Sequence, residues 1–308
     1  MATATRAAYG EALCEFGSKD KRIVALDADL ASATGTGKFK EQFPERFFDF
    51  GIAEQNMVGA AAGLAREGLI PFVSTFAVFG AGRAFEIIRN AVCTGKMNVK
   101  FCFSHSGVTT GEDGGSHQSI EDIALMRVLP NMTIFVPCDA IETKKAVAAA
   151  IQIDGPVYIR TSRPAFDNVT KESTPFIPGK ANVLKSGNDV CIIATGIMVR
   201  MALEAAVSLE KKGISAAVVD MHTIKPIDKN CILKMAKKVK GFVTAEEHSI
   251  IGGLGAAVED VLIGKYAGGF EKVGVEDVFG QSGKALDLLK EYGLTAEAIV
   301  KKAQKAIK

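Results

Sequence analysis

Asp49-Phe50-Gly51-Ile52-Ala53-Glu54-Gln55-Asn56-Met57-Val58-Gly59-Ala60-Ala61-Ala62-Gly63-Leu64-Ala65 carries the strongest structural signal in the chain. A mostly apolar run, Phe47 to Phe50, turns at Gly51 into a small-residue helix whose first turn holds one carboxylate, Glu54. A helix starting near Ile52 sets Met57, Ala61 and Leu64 on one face, and Gly59 and Gly63 are expected to let another backbone come close. An acid in a first turn commonly does no more than answer the helix dipole. The flanks here are mostly apolar, however, and a carboxyl among them is costly unless it has a designated partner. Glu54 is therefore a candidate functional acid.

Outward from this stretch, short apolar runs at Arg22–Leu26, Ile70–Ser74, Val99–Ser104, Thr133–Pro137 and Val157–Arg160 alternate with helical patterns such as Thr5–Phe16, Gly82–Cys93 and Ile141–Gln152. That alternation predicts a parallel sheet with helices on both faces, and ligands meet such sheets at the loops after the strands. Glu54, the turn at 27–32, the segment 74–79 and the loop 104–117 all fall there. Pro164, Pro175, Pro178 and the polar residues between them mark a connection from about Phe166 to Gly187. A second alternation follows: strands at Val190–Ala194, Ala216–Asp220 and Gly241–Ala245, helices at Arg200–Lys211 and Lys229–Lys238. The ending, Thr295 to Lys305, reads as an amphipathic helix with Thr295 as N-cap. The expected fold is α/β, with two domains, each a mostly parallel sheet flanked by helices: residues 1–165, a linker at 166–187, and residues 188–308.

The 308 residues suffice for one large or two ordinary domains, and 48% hydrophobic with 23% charged residues is the balance of a soluble globular protein. A net charge of +2, with Lys and Arg dispersed, argues against nucleic-acid binding. No apolar run approaches membrane-spanning length, and the start, Met1 to Arg6, lacks the apolar region of a signal peptide, so the cytoplasm is expected. Six scattered cysteines without a CxxC pair read as reduced thiols, with neither disulfides nor a zinc site.

Two other stretches hold chemistry. Ser74-Thr75-Phe76-Ala77-Val78-Phe79 sets two aromatics three apart on a segment read as a loop after a strand; such a pair is by itself more often core than a ligand shelf. His105-Ser106-Gly107-Val108-Thr109-Thr110-Gly111-Glu112-Asp113-Gly114-Gly115-Ser116-His117-Gln118 gathers two of the four histidines in a glycine-rich loop, where backbone freedom lets both imidazoles point into one cleft. Imidazole titrates near neutrality, which suits proton transfer on hydroxyls and carbonyls; a structural loop is the alternative, and a metal site with Asp113 lacks enough converging ligands. Gly35-Thr36-Gly37-Lys38 lacks the other residues of a phosphate-binding P-loop, and Gly252-Gly253-Leu254-Gly255 is as well explained by helix packing. His222 and His248 read as structural or domain-contact residues.

Together, "DFGIAEQNMVGAAAGLA", "STFAVF" and "GEDGGSHQ" resemble the pyrimidine-binding domain of thiamine-diphosphate enzymes, most closely the C-terminal part of transketolase, and the likeness runs along essentially the whole chain. The resemblance implies a thiamine-diphosphate pyrimidine-binding fold followed by the transketolase C-terminal domain. It implies that the Glu54 carboxyl hydrogen-bonds the cofactor's aminopyrimidine ring nitrogen, that Phe79 stacks on that ring, and that Phe76 lines the same pocket. Asp29 then corresponds to an acid near the cofactor, with Asp27 as its competitor. His105 and His117 correspond to substrate-binding, proton-moving histidines and Asp113 to the carboxylate that reads sugar stereochemistry. Arg6, Ser32 and Arg163 match phosphate contacts.

The GDG motif of the diphosphate- and Mg²⁺-binding domain is absent. The resemblance therefore implies a separately encoded C-terminal subunit of a split transketolase, with the metal held mainly by an N-terminal partner subunit and a two-plus-two assembly expected. Related alternatives are a subunit resembling deoxyxylulose-phosphate synthase or the beta chain of a 2-oxoacid dehydrogenase. The synthase pattern usually has an arginine where His105 stands, and the dehydrogenase beta chain lacks the His117 pattern. A silent scaffold of the same fold has no chemical need for Glu54, Phe79 and both histidines together.

Overall fold

Ile23–Asp27 and Ile70–Phe76 are buried along their whole length, as strands are when sandwiched between helix layers. In the computed structural model, which describes residues 2–308, both belong to a seven-stranded sheet. The strands of the first half are β1 (Thr3–Ala4), β2 (Ile23–Asp27), β3 (Phe47–Asp49), β4 (Ile70–Phe76), β5 (Lys100–Ser104), β6 (Thr133–Phe135), β7 (Val157–Arg160) and β8 (Ala165–Phe166). The second half adds β9 (Asn182–Lys185), β10 (Val190–Ala194), β11 (Ala216–Asp220), β12 (Thr223–Lys225), β13 (Gly241–Ser249) and β14 (Gly269–Val275).

The larger sheet has the order β12-β6-β7-β5-β4-β2-β3 and the smaller β14-β13-β10-β11-β9. Within them every pairing is parallel except β12 with β6 and β9 with β11. β1 and β8 make a small antiparallel ribbon. The architecture is thus the mixed α/β one expected, with parallel-rich sheets and flanking helices.

Several local expectations change. Asn182–Lys185, inside the stretch read as a connection, is a strand, and β12 leaves the second half to edge the first sheet. β13 continues past Ala245, so Glu246, Glu247 and His248 are strand residues. Gly82–Cys93 is no regular helix: π-helical turns at Val78–Arg83 and Ile88–Cys93 flank a short α segment, Phe85–Ile87.

Register decides where the site lies. β2 pairs Asp27 with Asp49 of β3 and Ser74 of β4, while β4 pairs Phe76 with Ser104 of β5, so these strands end at one edge of the sheet. The helix Glu54–Arg66 buries Met57, Val58 and Ala61 against one face, together with Leu26, Val73 and Phe101. The helix Thr5–Lys19 packs Tyr9 and Leu13 on the other, beside Ile23 and Phe72, and the Tyr9 hydroxyl lies 2.7 Å from that of Ser74. Gly59 and Gly63 point outward, with no atom within 4 Å of where a Cβ would stand. The close backbone approach expected of them is not made within this chain.

One buried ion pair ties the two halves together. Arg160, at the end of β7, bonds both carboxylate oxygens of Asp122 at 2.7 and 3.1 Å, and its Nη2 donates to the Glu247 carbonyl at 2.9 Å. Tyr158 adds a hydroxyl to the same carboxylate. Burial pushes the Asp122 carboxyl up, but the Arg160 charge more than reverses this and holds it below its ordinary value. Asp122→Ala leaves the guanidinium buried and unpaired, and a loss of about 3–5 kcal/mol in unfolding free energy is expected by urea titration at neutral pH. With a depressed native pKa, the pair's contribution is complete above about pH 4 and is lost as pH falls through the depressed value, so the gap between wild type and variant should close in acid.

Candidate active site

Chain direction places Glu54 at the sheet's carboxyl edge. β3 delivers the backbone to Gly51, where φ is +63°, and Glu54 becomes the first helical residue, 1% exposed. Its Oε2 accepts from Arg83 Nη1 at 2.7 Å. The Arg83 guanidinium in turn lies over the Phe79 ring, 5.2 Å from its centroid. Arg83 was not singled out by the sequence; the signal available was a cation one helical turn after Phe79.

Ser74 to Phe76 belong to β4 and not to a loop, which makes Phe76 a rigid strand end. Its ring stacks on Phe79 at 5.9 Å and on the His105 imidazole at 3.8 Å, and His117 meets Phe79 edge-on at 5.3 Å. Glu54, Arg83, Phe79, Phe76, His105 and His117 thus form one continuous run of contacts. Sequence reasoning had singled out five of these six residues, all but Arg83.

His105 has φ +57°, a conformation non-glycine residues adopt at a cost, and Thr110 holds it by donating its hydroxyl to the His105 carbonyl at 2.6 Å. His105 Nδ1 lies 2.8 Å from the Ser104 hydroxyl, and His117 Nδ1 2.9 Å from that of Ser116. Among the described residues no protein hydrogen bond engages Nε2 of either ring. Burial, then the positive charges of Arg6 and Arg163 and the neighbouring His117, push the His105 pKa down to about 3.

The charged residues gather beside the histidines. Arg163 donates to the Thr110 carbonyl and lies 3.7 Å from Asp113. Arg6 donates its Nε to the Arg163 carbonyl and lines an open cleft of about 430 Å³ with Ser32 and Lys38. Ser32 therefore shares a cleft with Arg6. Lys38 is a cation there that the sequence reading passed over. Asp29 is exposed, with its N–H bonded to the Asp49 carboxylate. Asp27 is fully buried and accepts from Leu30 N–H and the Thr34 and Thr36 hydroxyls; burial nonetheless pushes its pKa up to about 6. Asp27 thus builds the turn, and Asp29 is the acid available at the surface.

This arrangement can be set beside known proteins. The family profile described as "Transketolase, pyrimidine binding domain" matches residues 1–168, and that described as "Transketolase, C-terminal domain" matches residues 179–299. The chain belongs to the transketolase family. Within it, a Methanocaldococcus jannaschii chain provisionally named a transketolase C-terminal section is 49% identical over 98% of this chain and 96% of its own length. Rat transketolase is 43% identical over 96% of this chain, which spans 48% of that enzyme. A solved structure described as a split gene transketolase in an inactive beta4 tetramer superposes with a TM-score of 0.91 at 53% identity, covering 100% of this chain and 99% of that one.

A cleft of about 770 Å³ between Arg127, Lys225, Pro226 and Val261 holds none of these residues. The surface beside Glu54 is instead an open face, where Ile52 is 77% exposed and Gln55, Asn56 and Gly82 are exposed. Apart from it, Cys138, Glu142 and Asp220 bring ligand-type atoms within 4.8 Å of one another in the interior. Burial, followed by the charge of Glu142, pushes the Asp220 pKa well up. His105 should keep the ¹⁵N signature of a neutral imidazole from pH 8 down to pH 5; a cationic ring at pH 6 would contradict the burial and charge around it.

Proposed function

We propose that this chain is the C-terminal subunit of a split transketolase. It would move a two-carbon ketol unit from a ketose phosphate to an aldose phosphate in the pentose phosphate pathway of the cytoplasm. The observation that carries this reading is the run of contacts from the Glu54 carboxylate through Phe79 and Phe76 to His105 and His117.

Thiamine diphosphate, when bound, supplies a nucleophilic thiazolium carbon. The residues present fit its aminopyrimidine half: a buried carboxylate for the ring nitrogen, a phenylalanine face for the ring, and Phe76 and Asp29 at the margin. Arg83 takes Oε2 of Glu54, which leaves Oε1 for the hydrogen bond to the ring nitrogen. His105, uncharged at neutral pH, donates or accepts at Nε2 without drawing an anion away from the arginines, and His117 does the same work on the sugar's hydroxyls and carbonyl. Asp113 accepts from a sugar hydroxyl. Arg163, Arg6 and Ser32 hold the phosphate, for which a guanidinium fork is well shaped.

The diphosphate and its Mg²⁺ fall to an N-terminal partner subunit, with two copies of each chain in the assembly. Two observations support a partner: the open face around Glu54 and the outward-facing Gly59 and Gly63. The inactivity ascribed to the beta4 tetramer of the split-gene relative agrees with it.

The test is two-carbon transfer between pentose phosphates by the complex co-purified through this chain, with thiamine diphosphate and Mg²⁺ supplied. Wild type should transfer, the isolated chain should not, and Glu54→Gln should lower turnover by about 10²–10⁴-fold, the range for loss of a positioned acid or base. A complex that binds the cofactor and transfers nothing would overturn the reading.

A further inference from the structure

The loop carrying both site histidines is closed at its base and held from outside. Gly107 N–H donates to the Ser119 carbonyl at 2.7 Å, pinching residues 107–119 into a ring that has His117 just inside the pinch and His105 just before it. Into this pinch reaches Glu247, from β13 of the second sheet. Its Oε1 accepts from Thr109 N–H at 2.7 Å across 138 residues of sequence, and the residue is 3% exposed. Gly107, at φ +81°, lies so close that a Cβ would fall 2.3 Å from the Glu247 carboxyl carbon. Only glycine admits that approach.

The far side of the loop is gripped as well. Gln118 Nε2 donates to the carbonyls of Val108, Gly111 and Gln281, and Ser282 donates its hydroxyl to the Glu112 carbonyl. A Cβ on Gly115 would stand 2.5 Å from the Gly280 carbonyl oxygen. The loop therefore has its shape imposed largely by the second half of the chain. Glu247 is the one buried carboxylate in that grip, and the Arg160–Asp122 pair holds its backbone in place.

We propose, resting on the transfer reading above for its kinetic consequence, that Glu247 is a positioning residue which latches the loop through Thr109 N–H and so sets the spacing of His105 and His117 at the substrate. The geometry requires an acceptor at the right reach, not a charge. Burial acts in the same sense, pushing the Glu247 pKa up to about 7 against the opposing pull of Arg160 and Thr109 N–H.

Three variants separate reach from charge. Glu247→Gln keeps the acceptor at its place, Glu247→Asp keeps the charge but withdraws it by one methylene, and Glu247→Ala removes both. In the full chain, the ¹⁵N imidazole signals of His105 and His117 should move in the Ala and Asp variants and stay near wild type in Gln, with His222 unmoved in all three. In the co-purified complex, Asp and Ala should lose about tenfold to a hundredfold in turnover, the scale of a small misplacement, while Gln recovers most of it and thiamine-diphosphate affinity stays within about twofold throughout. Should Ala fail to fold, the Asp and Gln pair still decides. Unmoved histidine signals in Asp, or Gln as impaired as Asp, would overturn the latch. A wild-type complex without transfer would sink the functional reading instead, leaving the imidazole signals to judge the latch alone.

Discussion

The guanidinium of Arg160 is the point on which both sheets and the histidine loop depend. A charge buried this deeply is tolerable only with a partner and with its donors satisfied, and Asp122, the Glu247 carbonyl and the Ser119 carbonyl provide that. Those three acceptors sit on the helix Asp122–Val128, on β13 and at the end of the histidine loop. The planar fork reaches them together, which a lysine's single ammonium could not do with the same geometry. Electrostatics thus fixes a relation between elements that hydrophobic packing alone would leave free to slide.

The two ends of the site contrast. At the histidine end, the chain provides its own wall: β5 stops at Ser104, the loop closes on itself, and residues 280–283 cover it from the second half. At the carboxylate end, the wall is missing. Glu54 is buried by its own helix and by Arg83, yet the surface beside it carries Ile52, Gln55, Asn56 and two outward-facing glycines. Rigidity is concentrated where His105 and His117 stand, and the bare surface lies beside Glu54.

Much of this was legible because parallel strands between helix layers are continuous apolar runs, and β2, β4, β5, β10 and β11 are such runs. Glu54, Phe76, Phe79, His105 and His117 could be read because they sit in spaced stretches after strands. Arg83 was harder to read, because beyond its spacing of four from Phe79 its contact depends on a π-helical turn whose geometry no simple periodicity predicts. Glu247 was hidden by distance: its partner is 138 residues away, and the run Glu246-Glu247-His248 lies beyond the expected strand end at Ala245 until the strand is seen to continue through it. The loop's glycines illustrate a subtler failure. Their number suggested freedom for the imidazoles, but Gly107 and Gly115 are small because Glu247 and Gly280 press against them. Gly59 and Gly63 find no such neighbour within the chain, where no atom lies within 4 Å of a Cβ at either.

β12 has a consequence for how the chain can be divided. Its three residues are the antiparallel edge of the larger sheet, paired to β6, although they lie after β11 of the smaller one. A fragment cut at the proline-bearing connection would therefore keep β6 but not its neighbour. It would present a row of unsatisfied amides and carbonyls along a buried-type strand, the kind of edge that recruits another chain. The halves are exchanged at the seam like clasped fingers, and an engineered separation of them would have to carry Thr223–Lys225 along with the first half.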